Sequence, residues 1–268
     1  MLEILFEEKN VEGIILKSSA CLSSFLFSKE NALVIDVGGH NTYISCIYDG
    51  FQLNKQSISE KFGGENLTFS LDSYLMKNKP HLFEFSFFKR NKLINNKLSN
   101  FSRLEIVRDI KHFSFKVPIN GIEKLDYNSI VDNLIYELPD KQNLILSKET
   151  YSISDKLFGC NEFQGVHNMI NNLIHNMDPD YKSQIMSNII ITGGSTSIKG
   201  FIERLQKELY EDLCNYKSRF FYLDRQIDRR ITAWLNGSVI GSMNNISDLL
   251  MTNSEYKEHG LSLVDRKC

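Results

Sequence analysis

Two short segments carry residue types that could do chemistry. In Ala32-Leu-Val-Ile-Asp36-Val-Gly38-Gly39 an apolar strand ends in one acid and two glycines. Paired glycines let backbone N–H groups approach an anion closely, and Asp36 would then face a metal ion or its waters. In Asn188-Ile-Ile-Ile-Thr192-Gly193-Gly194-Ser195 a second apolar strand opens through glycines toward a helix. That geometry sets a phosphate or a purine against backbone. Each loop alone also fits a plain turn, since glycine permits positive φ and tight connections. The pair, one near each end of the chain, points to a nucleotide cleft between two lobes.

Other candidates are weaker. The stretch from Ser86 to Arg103 holds Lys89, Arg90, Lys92, Lys97 and Arg103 with no acid, interleaved with Phe87, Phe88 and Phe101. Such a run could meet DNA or an acidic partner. With 31 basic and 33 acidic residues the chain carries a net charge of -2, so a solvated surface is the reading adopted. His112, His167 and His175 fall on expected helices, but none has a second ligand at i+4, so polar packing is expected rather than metal binding. The five cysteines are odd in number and scattered, without a CxxC pair. They support neither a disulfide framework nor a zinc site, and a reducing, intracellular setting is expected.

The elements that must position the two loops follow from periodicity. At 268 residues, with 42% hydrophobic and 24% charged residues, the chain has material for one large domain or two lobes. Leu2–Phe6 and Gly13–Leu16 read as strands, and Ser18–Phe27 as a helix with Ala20, Leu22, Phe25 and Leu26 inward. The strand ending at Asp36 is followed by Thr42–Tyr48, and Asp49-Gly50 predicts a hairpin into Phe51–Leu53. Helical spacing recurs over Glu65–Lys77, Leu104–Phe115 and Phe163–His175. A hairpin is expected around Pro139-Asp140. Asp178-Pro179 supplies an N-cap and a first-turn proline. Phe201–Cys214 reads as an amphipathic helix, and Thr252-Asn-Ser-Glu255 as a capping box with Gly260 as the helix stop. Strands alternating with helices give an α/β protein. No apolar run approaches the ~18 residues of a membrane span.

Several of these segments resemble the actin family. Ala32–Gly50 resembles its second phosphate-loop hairpin, Glu105–Lys111 (EIVRDIK) is similar to a segment of conventional actin almost letter for letter, and Tyr136–Asp140 looks like the actin YELPDG turn. Ile189–Leu209 resembles the strand, purine loop and helix of actins. Arg229–Met243 and the tail from Ser254 to Cys268 resemble the actin C-terminus. The matches run in order from about Leu2 to the last residue. The resemblance implies the ribonuclease H-like fold of actin, Hsp70 and the sugar kinases, with two lobes around an ATP cleft. On that template 27–62 and 166–231 form the core of the second lobe, complete, and 63–165 a smaller inserted subdomain. Residues 1–26 and 232–268 belong to a first lobe that is largely missing.

The departures shape the functional expectation. The first phosphate-loop hairpin of actins has no counterpart in this sequence. The glutamine that orients the attacking water in actins aligns with Ser19, the acid that helps hold the ribose with Gly39, the histidine behind the water with Tyr43, and the ribose-holding glutamate with His112. The resemblance leaves Asp36 for the metal shell, through water, and Gly38, Gly64, Arg108, Lys111, Gly193, Gly194, Ser195 and Arg230 for nucleotide binding. ATP or ADP with Mg²⁺ is the implied cofactor, with weak binding or none expected, and no meaningful ATPase. Phosphoryl transfer depends on positioning and charge stabilisation, and both are eroded. The loop that plugs across actin filaments is shortened here to Gly159–Phe163. A truncated first lobe would expose apolar surface around Leu2–Phe6 and Trp234–Met243, which usually needs a partner, although Trp234 itself is expected to pack where its helix meets the lobe. The expectation is a structural subunit of a larger assembly, by likeness to the nuclear actin-related proteins of chromatin-remodelling and histone acetyltransferase complexes. Its partners would be protein subunits and actin among them, with no membrane and no direct nucleic-acid contact. The rival is a cytoskeletal actin relative bound to filaments or a motor-adaptor complex; an ATPase or kinase ranks third. An incomplete gene product is an alternative that cuts across all three.

Overall fold

From the amino terminus, a π-helical turn at Ile4–Glu8 leads into β1 (Gly13–Ile14), α1 (Ser19–Leu26), β2 (Ala32–Val37), β3 (Thr42–Tyr48) and β4 (Phe51–Glu60). Then come α2 (Gly64–Asn78), α3 (Asn96–Ser114), β5 (Leu134–Glu137), β6 (Asn143–Leu146), α4 (Lys148–Ser154), α5 (Val166–Asn176) and α6 (Pro179–Met186). The chain closes with β7 (Asn188–Thr192), α7 (Phe201–Glu208), α8 (Tyr210–Leu213), β8 (Arg219–Phe221), α9 (Thr232–Gly241), β9 (Met251–Thr252) and α10 (Asn253–His259). The structure, a computed structural model, describes residues 1–80, 96–124, 133–224, 227–244 and 246–263.

A five-stranded mixed sheet in the order β4-β3-β2-β7-β8 forms the centre. β2 runs antiparallel to β3 and parallel to β7, with Asp36 opposite Thr192. The carboxyl ends of β2 and β7 therefore meet at one edge, where open α/β sheets place their ligands. β2 is continuously apolar from Ala32 to Ile35 because both its faces are covered. Leu33, Ile35 and Val37 face a large core that includes Val107, Ile110, Met169 and Phe201. Ala32 and Val34 face Ala20, Cys21 and Ile190 on the other side. Strands buried on both faces lose the alternation of a half-exposed strand.

The turns behave as their residues dictate. Asp49 and Gly50 have φ of 51° and 76°, the left-handed pair of a type I′ hairpin. The Pro139-Asp140 turn closes with Lys141 N donating to the Leu138 carbonyl at 2.8 Å and Gln142 N to Asp140 Oδ1 at 3.1 Å. Asp178 caps α6 through Asp180 N, and Pro179 opens the helix. At α10, Thr252 N donates to Glu255 Oε2 at 2.9 Å and Glu255 N to Thr252 Oγ1 at 3.3 Å, the reciprocal capping box.

Three expectations are corrected. Leu2–Phe6 is helical, not a strand: Leu2 and Phe6 lie four residues apart on one face, and both are buried against Met251 and Tyr256, with the Phe6 and Tyr256 rings stacked at 4.7 Å. Leu2 and Phe6 are thereby covered, while Met1 and Ile4 beside them are 72% and 50% exposed. α1 turns Ala20, Cys21, Ser23 and Ser24 inward, while Phe25 is 40% exposed beside Gly50; a close approach to β2 and α9 selects small residues over large ones. Trp234 is 69% exposed rather than packed. The basic segment falls largely outside the described residues, and so does the DRKC tail. The shortened Gly159–Phe163 loop is a tight turn in which Cys160 and Phe163 pair through their backbones, with Phe163 buried flat on Phe62 at 4.5 Å.

Candidate functional site

The loop after β2 and the loop after β7 are fastened to each other and to the start of α2. Gly193 has φ of +89°, and a Cβ there would stand 2.5 Å from both Asp36 Oδ1 and the Val37 carbonyl oxygen. Only glycine allows that approach. The Gly38 carbonyl accepts from Gly64 N at 3.0 Å and from Ser195 Oγ at 2.9 Å, and Gly39 accepts from Glu65 N at 2.7 Å. Gly64 lies in the same junction, where a Cβ would sit 2.8 Å from Ser195 Oγ and 3.4 Å from Lys111 Nζ.

These loops form one wall of a cleft of about 730 Å³, a size suited to a small organic ligand. Every residue singled out for ligand binding lines it: Asp36, Gly38, Gly64, Arg108, Lys111, Gly193, Gly194, Ser195 and Arg230. Gly39, Glu65, His112, Phe115, Lys116 and Lys199 complete much of the lining. Ser19 does not; it lies exposed on the first turn of α1. Tyr43 projects from β3 beside Asp36 with its hydroxyl accepting from Asn41 Nδ2 at 2.6 Å, and it too is outside the lining.

The opposite wall is the last two turns of α3. Arg108 is held by Glu65 at 2.8 Å and by Glu105, so its charge is already matched. Lys111 is only 7% exposed. Its ammonium donates at 2.9 Å to the Gly64 carbonyl and at 2.9 Å to Thr68 Oγ1. Both acceptors are uncharged, and Lys111 makes no ion pair among the described residues. Burial consequently lowers its pKa to about 8, against a smaller upward pull from Glu65. The next residue, His112, is also pushed toward its neutral form, by desolvation first and then by Lys111 and Arg230. Arg230 lies across Gly194, where a Cβ would meet its Cγ at 3.0 Å, and pairs with Asp228 at 2.5 Å.

Sequence reasoning gave Arg229 no role, yet it is the buried residue that locks the second loop. Its guanidinium donates to the Thr196 carbonyl at 2.7 Å and the Leu223 carbonyl at 3.1 Å, while its own carbonyl accepts from Thr192 and Thr232. The signal available was two adjacent arginines, which does not tell an exposed one from a buried one.

Magnesium, which the family resemblance implies, wants near-octahedral oxygen ligands. The cleft lining offers two carboxylates. Glu65 is tied to Arg108, and Asp36 is pushed toward its neutral form by burial. No group of three or more potential ligands clusters among the described residues. These residues build no all-protein magnesium cage, but a hydrated ion held by ligand phosphates needs only one or two carboxylates, and Asp36 would meet it through water.

Residues 1–268 match the Actin family model along their whole length. The chain belongs to the actin family. It is 29% identical over 299 residues to actin-related protein 4 of Oryza sativa, covering 99% of this chain and 67% of that protein. It is also 29% identical over 302 residues to actin-related protein 4 of Arabidopsis thaliana, with the same coverage. Over 272 residues it is 29% identical to actin-like protein 7A of Mus musculus, covering 57% of that protein. The chain thus spans about two thirds of the plant relatives' length. Its five-stranded mixed sheet is that of the actin fold, and the cleft lies where the two glycine loops of this actin-related chain converge.

Proposed function

We propose that this actin-related chain is a structural subunit of a multiprotein assembly, with no effective ATPase, and that the assembly is a nuclear one of the chromatin-remodelling or histone acetyltransferase type. The composition of the cleft carries the first half of the reading. Binding groups converge there, and the two positions that the family resemblance links to the attacking water suit that task poorly: Ser19 is outside the cleft, and Tyr43 is bonded to Asn41. Of the two lining carboxylates, Glu65 serves Arg108. Without positioning of the nucleophile, most of the rate enhancement of phosphoryl transfer is lost.

Exposed apolar side chains support the second half. Trp234, Val239 and Met243 stand in solvent on and just after α9, and tryptophan is a typical anchor of protein interfaces. The plant relatives bear the name actin-related protein 4, in keeping with an actin-related subunit rather than a conventional actin. No helix among the described residues is long and apolar enough to cross a membrane.

The test is purification of the endogenously tagged protein with mass spectrometry of its partners, alongside an ATP turnover assay. Remodelling or acetyltransferase subunits, lost when Trp234 is replaced by Lys, are the expected result. Filament or motor-adaptor components instead would sink the nuclear reading, and sustained turnover of ATP would sink the non-catalytic one.

A further inference from the structure

Among the described residues Lys111 is the one lysine buried in the core. Long charged side chains are rarely buried without a counter-charge, yet both acceptors of this group, the Gly64 carbonyl and Thr68 Oγ1, are neutral. The charged neighbours do not make up the difference. Glu65 on α2 favours the cation and Arg108 on α3 disfavours it, and those two are paired with each other. An ammonium carries three N–H donors, whereas a neutral amine carries two and a lone pair. Two neutral acceptors therefore satisfy the amine completely and leave the ammonium one acceptor short. The lowered pKa of about 8 agrees with that count.

The nitrogen also lies beside the cleft. Lys111, Gly64 and Ser195 all line it, and the point that a Cβ of residue 64 would take is 3.4 Å from Lys111 Nζ and 2.8 Å from Ser195 Oγ. Residue 64 is glycine, so only its backbone stands next to the amine there. Desolvation of this kind is one way in which proteins make a lysine nucleophilic.

We propose that Lys111 is a nucleophilic lysine that captures small aldehydes entering the cleft as an imine. The Nζ lone pair attacks the carbonyl carbon, a C–N bond forms, and one proton passes from nitrogen to the carbonyl oxygen. The carbinolamine then loses its hydroxyl with the second amine hydrogen as water, leaving Nζ doubly bonded to carbon. Both amine hydrogens and the carbonyl oxygen are accounted for in that water, and no oxidant or metal takes part. The adduct fills part of the cleft and so competes with any other ligand there. The proposal concerns the reactivity of one amine; partner capture and ATP turnover do not bear on it, so its failure is separate from failure of the subunit reading.

Pyridoxal 5′-phosphate, an aldehyde small enough for a cleft of about 730 Å³, is the probe. The 268-residue chain is treated at about pH 7.5 with less than one equivalent, reduced with borohydride to fix the imine as a secondary amine, and mapped by peptide mass spectrometry. At that pH a group titrating at about 8 is about one quarter neutral, against about 0.1% of an ordinary lysine. Lys111 should therefore be labelled about 10-fold or more faster than the exposed Lys9, Lys55 and Lys77. Pyridoxal, which lacks the phosphate, should mark the same residue, and the selectivity should vanish in the urea-unfolded chain. Label spread evenly over exposed lysines, or a Lys111 left unmodified, overturns the proposal. So does selectivity confined to the phosphorylated probe, which would trace it to anion binding, or selectivity that survives unfolding, which would trace it to local sequence. The parent chain carries every readout, so no variant has to fold.

Discussion

Replacing Gly193 by Ala tests whether the two loops are joined as tightly as their geometry requires. The residue combines φ of 89° with ψ of 145°, a region essentially closed to side chains, where a non-glycine residue costs roughly 1–3 kcal/mol. The new Cβ would also stand 2.5 Å from the Val37 carbonyl oxygen and 2.5 Å from Asp36 Oδ1. The first is backbone of a central strand and cannot swing away, so overpacking adds about 1–3 kcal/mol. A total of about 3 kcal/mol is expected, which for a chain of this size lowers Tm by roughly 6–12 °C. Thermal melts followed by far-UV circular dichroism suit the measurement, because Trp234 is too exposed to report on the core. Gly237→Ala is the control: it lies inside α9 with nothing within 4 Å of its added Cβ, and should stabilise by about 0.5–1 kcal/mol. A Gly193→Ala protein melting within about 2 °C of the parent would show that the loops do not approach as closely as the geometry says.

Three further outcomes follow from named contacts. Lys111 titrates at about 8 when folded against an ordinary value of 10.5, so between those values the unfolded chain holds a proton that the folded chain has released. Stability from this group therefore rises with pH across that window, and urea titrations should show the parent gaining roughly 2–3 kcal/mol on Lys111→Met between about pH 7.5 and pH 10.5; a constant difference would contradict the burial. Phe163→Ala removes the ring stacked on Phe62 and should cost about 3–5 kcal/mol, read as an earlier urea midpoint, whereas an unchanged midpoint would mean that the short Gly159–Phe163 turn is not anchored. Arg229→Met leaves the Thr196 and Leu223 carbonyls without their donor and should destabilise by about 1–3 kcal/mol. Arg229→Lys should recover only part of that, since one ammonium cannot span two carbonyls as a planar guanidinium does, and full recovery would argue that charge alone matters there.

The parts of this fold legible in the sequence are those where local chemistry and tertiary role agree. β2 and β7 are runs of branched apolar residues that end in glycine, and no other element satisfies such a run so simply. Asp49-Gly50, Asp178-Pro179 and Thr252–Glu255 specify their turns and caps by direct hydrogen bonding or by backbone angle, so context had little to change. The same sequence misleads where the partner surface decides. Apolar periodicity alone turns Phe25 and Leu26 of α1 inward, but α1 packs so close to β2 and α9 that Ala20, Ser23 and Ser24 fill the contact and Phe25 is displaced to the Asp49-Gly50 turn. Leu2–Phe6 is too short for period to separate a strand from a helical turn; the stack of Phe6 on Tyr256, from the other end of the chain, settles it. The candidate site divides along the same line. Its glycines could be read from the chain because only glycine fits those approaches, whereas the burial of Lys111 against neutral oxygens could not, because whether a lysine has a counter-charge depends on residues far away in sequence.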